Sequence, residues 1–221
     1  MFDNISPSYD FLNGVLSLGI HNIWRKKAIQ LIGQIHPSAI LDVATGTADF
    51  AIASASLRPK EIVGVDISEG MLSVGRIKVA KKNLGNLVRL EKGDSENLSF
   101  SDGYFDAVTV GFGVRNFGDL EKGLSEIKRV LRKGGKVAIL EPAAPTRFPM
   151  KNIFNFYFRY LLPFFGRLIS GDKAAYTYLP ESVRAFPNGA EFAAICKKVG
   201  FVSADYHPLT FGICSLYLLE K

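Results

Sequence analysis

Residues 41–49 read Leu-Asp-Val-Ala-Thr-Gly-Thr-Ala-Asp, an apolar strand running into a loop of small residues. Asp66 follows the only glycine of that loop, Gly46, by 20 residues. In a parallel α/β sheet this pairing builds a nucleoside site. Small residues at a strand end let backbone N–H groups approach a ligand, and a carboxylate ending the next strand can accept both ribose hydroxyls. A dinucleotide fingerprint needs three glycines around a pyrophosphate. Here a single glycine stands among Ala44, Thr45, Thr47 and Ala48, and Asp42 and Asp49 bound the loop. Acids suit a cationic amino-acid nucleoside better than they suit phosphates, so the expected ligand is S-adenosylmethionine.

The rest of the chain alternates as a parallel sheet requires. Residues 6–34 predict an N-terminal helical segment, 39–44 a first strand and 49–57 the helix behind it. Residues 61–66 form strand two, and Ser68 is the expected N-cap of the next helix, with Glu69 in its first turn. Strand three spans 87–91, ahead of Gly93-Asp94-Ser95-Glu96, and strand four spans 104–111. A helix over 120–132 is expected to end at Gly134-Gly135 as its C-cap, before a buried strand at 136–140. The runs 201–206 and 211–219 leave no room for a crossover helix, which makes them an antiparallel hairpin at the sheet edge. The predicted class is α/β: a Rossmann-like, mostly parallel seven-stranded sheet with an antiparallel C-terminal strand, as in class I methyltransferases. A pure dinucleotide fold would continue βα to its end.

With 221 residues and 48% apolar content the chain can bury one substantial core, and no Pro- or Gly-rich stretch divides it. We therefore expect a single domain over 1–221, comprising the N-terminal segment 1–34, the sheet, and a helical cover at 145–187 inserted after strand five. The net charge of +6 is spread over helices without a nucleic-acid motif, so attraction to anionic lipid is favoured over nucleic acid. Two cysteines, Cys196 and Cys214, without CxxC spacing or a preceding signal peptide, point to a reducing cytoplasm and ordinary buried thiols. The greasy stretch 153–169 is broken by Asn155, Arg159, Pro163 and Arg167, too often for a membrane span. No His, Cys and carboxylate cluster has metal-ligand spacing, and no Ser-His-acid set suggests hydrolysis; no metal requirement is predicted.

Several separated motifs resemble those of the UbiE/MenG quinone C-methyltransferases. Tyr9-Asp10-Phe11-Leu12-Asn13, continuing through Ser17, Gly19, His21 and Trp24, is similar to the first signature of that family, with Leu12 in place of Met. Residues 129–136, Arg-Val-Leu-Arg-Lys-Gly-Gly-Lys, followed by Glu141, are similar to its second. Gly111-Phe112-Gly113-Val114-Arg115-Asn116, Tyr176-Thr177-Tyr178-Leu179, Ser182-Val183 and Phe186-Pro187 also match. Three positions depart from the pattern: Ala48 for glycine, Lys133 for proline and Pro142 for a bulkier apolar residue. Ala48 is expected to be tolerated with a negative φ.

The resemblance implies methylation of a ring carbon of a polyprenyl quinol, most simply demethylmenaquinol to menaquinol, with a polyprenyl benzoquinol as the close rival. It implies that Asp66 binds the ribose hydroxyls, Asp94 and Ser95 flank the adenine, and Thr45, Gly46 and Thr47, with Asp42 behind them, line the methionine part. Capping of helices by Asp66 and Asp94 is the purely structural alternative. Arg115 and Asn116, just past strand four, face the transferable methyl in this architecture, although Arg115 would equally suit a structural salt bridge. Ionising a quinol phenol of pKa about 10 at pH 7 requires roughly 4 kcal/mol. A cation about 4 Å away at an effective dielectric near 20 returns a similar amount. Water, Tyr9 or His21 then carries the proton away, a choice the sequence leaves open. Tyr176, Tyr178 and Arg184 are the candidate acceptor-pocket wall, with core packing as the alternative for the tyrosines. The aromatic stretch 148–169 reads as a buried crossover helix or as a cover touching lipid head groups. The expected setting is cytoplasmic with transient membrane-surface contact, and the surface allows a homodimer. Two other classes stay open: an NAD-dependent oxidoreductase, disfavoured by the missing glycines, and a nucleoside-binding module without catalysis.

Overall fold

The computed structural model describes residues 19–156 and 181–221. Tyr9, Tyr176 and Tyr178, with most of the expected cover, lie outside them.

Seven strands form one sheet in the order β3-β2-β1-β4-β5-β7-β6. β1 (Ala39–Val43), β2 (Glu61–Asp66), β3 (Val88–Lys92), β4 (Phe105–Gly111) and β5 (Leu131–Pro142) are mutually parallel. β7 (Cys214–Glu220) runs antiparallel between β5 and β6 (Ser203–Leu209), the expected edge hairpin, shifted two residues along the chain at β6. The strands that carry the central sheet are apolar and β-branched because both faces are covered: Ile40, Leu41, Val43, Ile62, Val63, Val108, Val137 and Ile139 are all fully buried. Each such side chain contributes about 1.5–3 kcal/mol.

The helices divide between the faces. α1 (Ile20–Ile32) buries Trp24, Ala28 and Ile32, four residues apart on one stripe, together with α2 (Asp49–Ser54) and α3 (Glu69–Lys81). α4 (Leu120–Val130) buries Leu124, Ile127 and Val130 on the opposite face, beside Phe192 and Cys196 of α6 (Ala190–Val199). Ser68 caps α3 as expected, its hydroxyl accepting from the Met71 amide at 3.2 Å. Helix 49–57 tightens to a 3₁₀ turn after Ser54.

Gly134 and Gly135 do not cap α4. The helix stops at Val130, and Leu131 already pairs with Phe105 while Lys136 pairs with Ala107, so residues 132–135 of β5 stand opposite Asp106 alone. That is a bulge, and Gly134, at φ +73°, turns it. The chain enters the strand straight from the helix because Leu131 is β-region and fully buried.

The described parts of the expected cover are residues 145–156, with α5 (Met150–Phe156), and residues 181–187, where Val183 and Phe186 are buried. The first of them is not a buried crossover helix: Phe148 is 82% exposed and Phe156 56%. Among the described residues no helix is long and apolar enough to cross a membrane.

Candidate active site

Strand order reverses between β1 and β4, since β1 leads outward through β2 to β3 while β4 leads the other way to β5. Loops leaving the carboxyl ends of two such neighbours diverge and leave a crevice. The open cleft found there is lined by Asp42 of β1 and Ala44, Thr45, Gly46 and Thr47 just after it, by Gly111 and Phe112 at the end of β4, and by Arg25 of α1.

Backbone geometry builds the donor side. Gly46, at φ +55°, has open space where a Cβ would point, and its amide donates to Asp66 Oδ2 at 2.8 Å. Asp66 Oδ1 accepts from the Ser68 amide at 2.9 Å. Backbone donors from two successive loops thus hold the carboxylate in place. Asp66 therefore does cap locally, and the two readings of it are compatible. The Gly93 amide donates to the Asp66 carbonyl at 3.0 Å, which ties the third loop to the second. Asp94, two residues beyond β3, is exposed at the same sheet edge and accepts from the Glu96 amide at 2.9 Å. Ser95 is half-buried beside it. The structure thus gathers Asp42, Thr45, Gly46, Thr47, Asp66, Asp94 and Ser95 along the carboxyl ends of β1–β3.

Asp42 is 1% exposed and has three donors: Thr45 Oγ1 at 2.5 Å, Thr109 Oγ1 at 2.6 Å and the Ala51 amide at 3.0 Å. Burial pushes its carboxyl up to about 6, against the lowering effect of those hydrogen bonds. Asp49, at the loop's far end, pairs with Lys78 of α3 and, at 3.4 Å, with Arg25 of α1. Lys78 also donates to Thr47 Oγ1 at 3.1 Å, so two helices clamp the loop. His21 precedes Arg25 by one helical turn and shares its stripe.

Ala48 corrects an expectation. Its φ is +67°, not negative, at the N-cap of α2. An L-residue there costs about 1–2 kcal/mol. The buried methyl, worth about 0.8 kcal/mol, offsets part of it: Ala48 is fully buried under α3, where a Cβ on Gly75 would come within 3.2 Å of it.

On the acceptor side Arg115 forms a salt bridge, the structural alternative raised from sequence. Its Nη1 lies 3.1 Å from Glu141 Oε2, with the two side chains 8% and 1% exposed, and it also donates to the Phe112 carbonyl. Burial raises the Glu141 pKa, and the Arg115 charge acts against that rise. The pairing changes the electrostatic arithmetic. If an oxyanion sits about 4 Å from the guanidinium, a carboxylate about 7 Å away takes back roughly half of the attraction. Asn116 follows in the same 3₁₀ turn, its amide on the Gly113 carbonyl at 3.0 Å. Arg184 is exposed. Arg25, Lys78, Thr109 and Glu141 were given no site role from sequence. Arg25 had a signal in its helical spacing from His21, and Glu141 in its place in the second motif; Lys78 and Thr109 had none.

The donor loop's open Gly46 position and its acidic lining fit S-adenosylmethionine. Solved structures share the fold: a SAM-dependent methyltransferase from Aquifex aeolicus has a TM-score of 0.64 at 18% identity, covering 88% of each chain. Phosphoethanolamine N-methyltransferase 2 of Haemonchus contortus, in complex with S-adenosyl-L-methionine, has 0.60 at 18%, covering 83% of this chain and 48% of that one. Sequence relatives are nearer. The demethylmenaquinone methyltransferase of Bacteroides fragilis is 51% identical over 222 residues, covering 100% of this chain and 91% of that protein. The ubiquinone/menaquinone biosynthesis C-methyltransferase UbiE of Geobacter sulfurreducens is 44% identical, covering 100% and 87%. Residues 1–221 match the family throughout, and the chain belongs to the ubiE/COQ5 methyltransferase family.

Proposed function

We propose that this chain is an S-adenosylmethionine-dependent C-methyltransferase that converts demethylmenaquinol to menaquinol. The observation that carries the reading is the cleft at the β1/β4 reversal, where residues 44–47, tied to Asp66 through the Gly46 amide, face Gly111 and Phe112, whose carbonyl accepts from Arg115. Asp66 holds the ribose hydroxyls, Asp94 and Ser95 flank the base, and residues 45–47 with Asp42 behind them enclose the amino-acid end. When bound, S-adenosylmethionine supplies a methyl group whose carbon–sulfur bond breaks with its electron pair left on sulfur. Arg115, with Asn116 beside it, orients a quinol hydroxyl. The O–H proton leaves to water, His21 or Tyr9, and the oxygen's electron pair feeds the neighbouring ring carbon, which forms the new carbon–carbon bond. That carbon's own proton then passes to water, restoring the aromatic ring as a phenolate, and the oxygen regains a proton from solvent. Tyr176, Tyr178 and Arg184 wall the acceptor side.

Turnover of purified protein with a labelled methyl donor and paired naphthoquinol and benzoquinol acceptors tests this directly. Label on the naphthoquinol ring carbon is expected; label on neither acceptor would refute it. The Geobacter relative's name gives the benzoquinol a specific claim as the second reading, and preferential labelling of that acceptor would establish it.

A polyprenyl acceptor resides in lipid, and α5 is suited to meet it there. Phe148, Ile153 and Phe156 are exposed alongside exposed Arg147 and Lys151. The setting we propose is the cytoplasm with peripheral contact at the inner membrane face. Flotation with anionic liposomes should fall on changing Phe148 and Phe156 to Ser, and unchanged flotation would count against the contact.

A further inference from the structure

Glu141 touches Arg115 at both ends of the residue: Oε2 reaches Nη1 at 3.1 Å and Oε1 accepts from the backbone amide at 3.4 Å. The same Nη1 is shared with the carbonyl of Phe112, a residue lining the donor cleft. Nε of Arg115 is buried without a hydrogen-bond partner. A purely structural arginine–carboxylate bridge of this depth would be expected to use two guanidinium nitrogens in parallel. Here one nitrogen takes both contacts, so the carboxylate fixes where the guanidinium sits without using its full donor set.

We infer that Glu141 is a positioning residue for methyl transfer: it holds Arg115 against the rim of the cleft and sets how much of the arginine's charge reaches the quinol oxygen. This rests on the reading that Arg115 lies beside that oxygen. Other titratable groups near Glu141 come from β7, where Cys214 and Tyr217 sit. Burial raises both, and the Glu141 charge adds to the rise, so both are neutral through the assay range. Ser215 is its uncharged partner across the β5–β7 pairing. Arg25 of α1 with Asp42 and Asp49 of the loop after β1 also line the cleft; because they are unchanged in both variants, the difference between variant and wild type reads the Arg115–Glu141 contribution alone.

The test is the pH dependence of kcat with a short-tailed demethylnaphthoquinol, in wild type, Glu141→Gln and Arg115→Gln. Absorbance titration of bound 1-naphthol without the methyl donor is read alongside. The rising limb reports ionisation of the bound acceptor. Glu141→Gln leaves the guanidinium uncompensated and should move both the limb and the naphthol pKa down by about one unit; Arg115→Gln should move them up by a similar amount. The acceptor KM in Glu141→Gln should stay within about threefold, because the change acts on the ionised form. A bridge that only supports the fold would lower the rate at every pH with the limb in place. That result in Glu141→Gln, with Arg115→Gln shifted, overturns the inference alone. An unshifted Arg115→Gln would instead overturn the role of Arg115 itself. If Glu141→Gln does not fold, Glu141→Asp draws the guanidinium back by one methylene and should raise the limb; an unmoved limb there is equally decisive.

Discussion

The two ends of the parallel sheet are held by different means. At the amino end, Asp106 accepts from the Ser38 and Ala39 amides at 2.5 and 2.9 Å and pairs with Arg132, whose side chain is 47% exposed. Arg129 there satisfies Glu126, Asp102 and the carbonyls of Leu98 and Phe100. The loops at this end themselves turn through positive φ, at His36 (+48°), Arg58 (+54°) and Asn83 (+55°). At the carboxyl end, Ala44, Ala48 and Phe112 stand at φ +52°, +67° and +60°, and the charged groups Asp42 and Glu141 are buried. Positive φ is therefore shared by the two ends, and what sets the carboxyl end apart is the depth at which charge is buried, Asp42 at 1% and Glu141 at 0% exposure.

The largest predicted effect separates the two ends directly. Arg115→Ala leaves Glu141 buried without its cation, and should destabilise by about 3–5 kcal/mol and cut turnover by about 100-fold or more. Arg132→Ala, on a half-exposed pair, should change stability by less than about 1 kcal/mol. Equal losses in urea denaturation would break the comparison.

Asp42 gives a pH test. Its folded pKa of about 6 lies above the ordinary 3.8, so the folded state binds the proton more tightly. The stability this group contributes is fully present below pH 3.8 and is lost as pH rises through 6, a change of roughly 3 kcal/mol. Asp42→Asn should remove that component of the slope between pH 4 and 7. Unfolding curves at both pH values measure it, and an unaltered slope would mean the carboxyl titrates normally.

Asp66→Asn should weaken S-adenosylmethionine binding by about 10- to 100-fold, since one charge-assisted acceptor is replaced by a neutral amide. Calorimetric titration reads this, with wild-type affinity as the contrary outcome. Ala48→Gly is the smallest effect. Relief of the positive φ, about 1–2 kcal/mol, is opposed by the lost buried methyl and by glycine's freer unfolded state, leaving a net change within about 1 kcal/mol.

The sheet was readable in the sequence because its strands are apolar runs between punctuating residues, and β2 falls at Glu61–Asp66 as expected. The donor loop was readable for the same reason: a short segment carries its own backbone and its own acid. What escaped was set by long-range partners. Gly134-Gly135 has the look of a helix cap, and only pairing with β4 makes it a bulge. Residue type alone favours a negative φ at Ala48, whereas the chain turns through +67° there to start α2, with the methyl packed close to Gly75. Arg115 and Glu141 are 26 positions apart, so their bond left no local trace. The acceptor side, assembled from side chains on separate elements, was the less legible half for that reason.

The central claim is that the loops after β1, β2 and β3 grip one nucleoside and present its sulfur to the turn after β4. A crystal structure of the complex with S-adenosylhomocysteine tests it most directly. Both ribose hydroxyls are expected on the Asp66 carboxylate, the base beside Asp94 and Ser95, and the sulfur facing Phe112 and Arg115. A nucleoside bound elsewhere, or bound here with its sulfur turned away from Arg115, would contradict it.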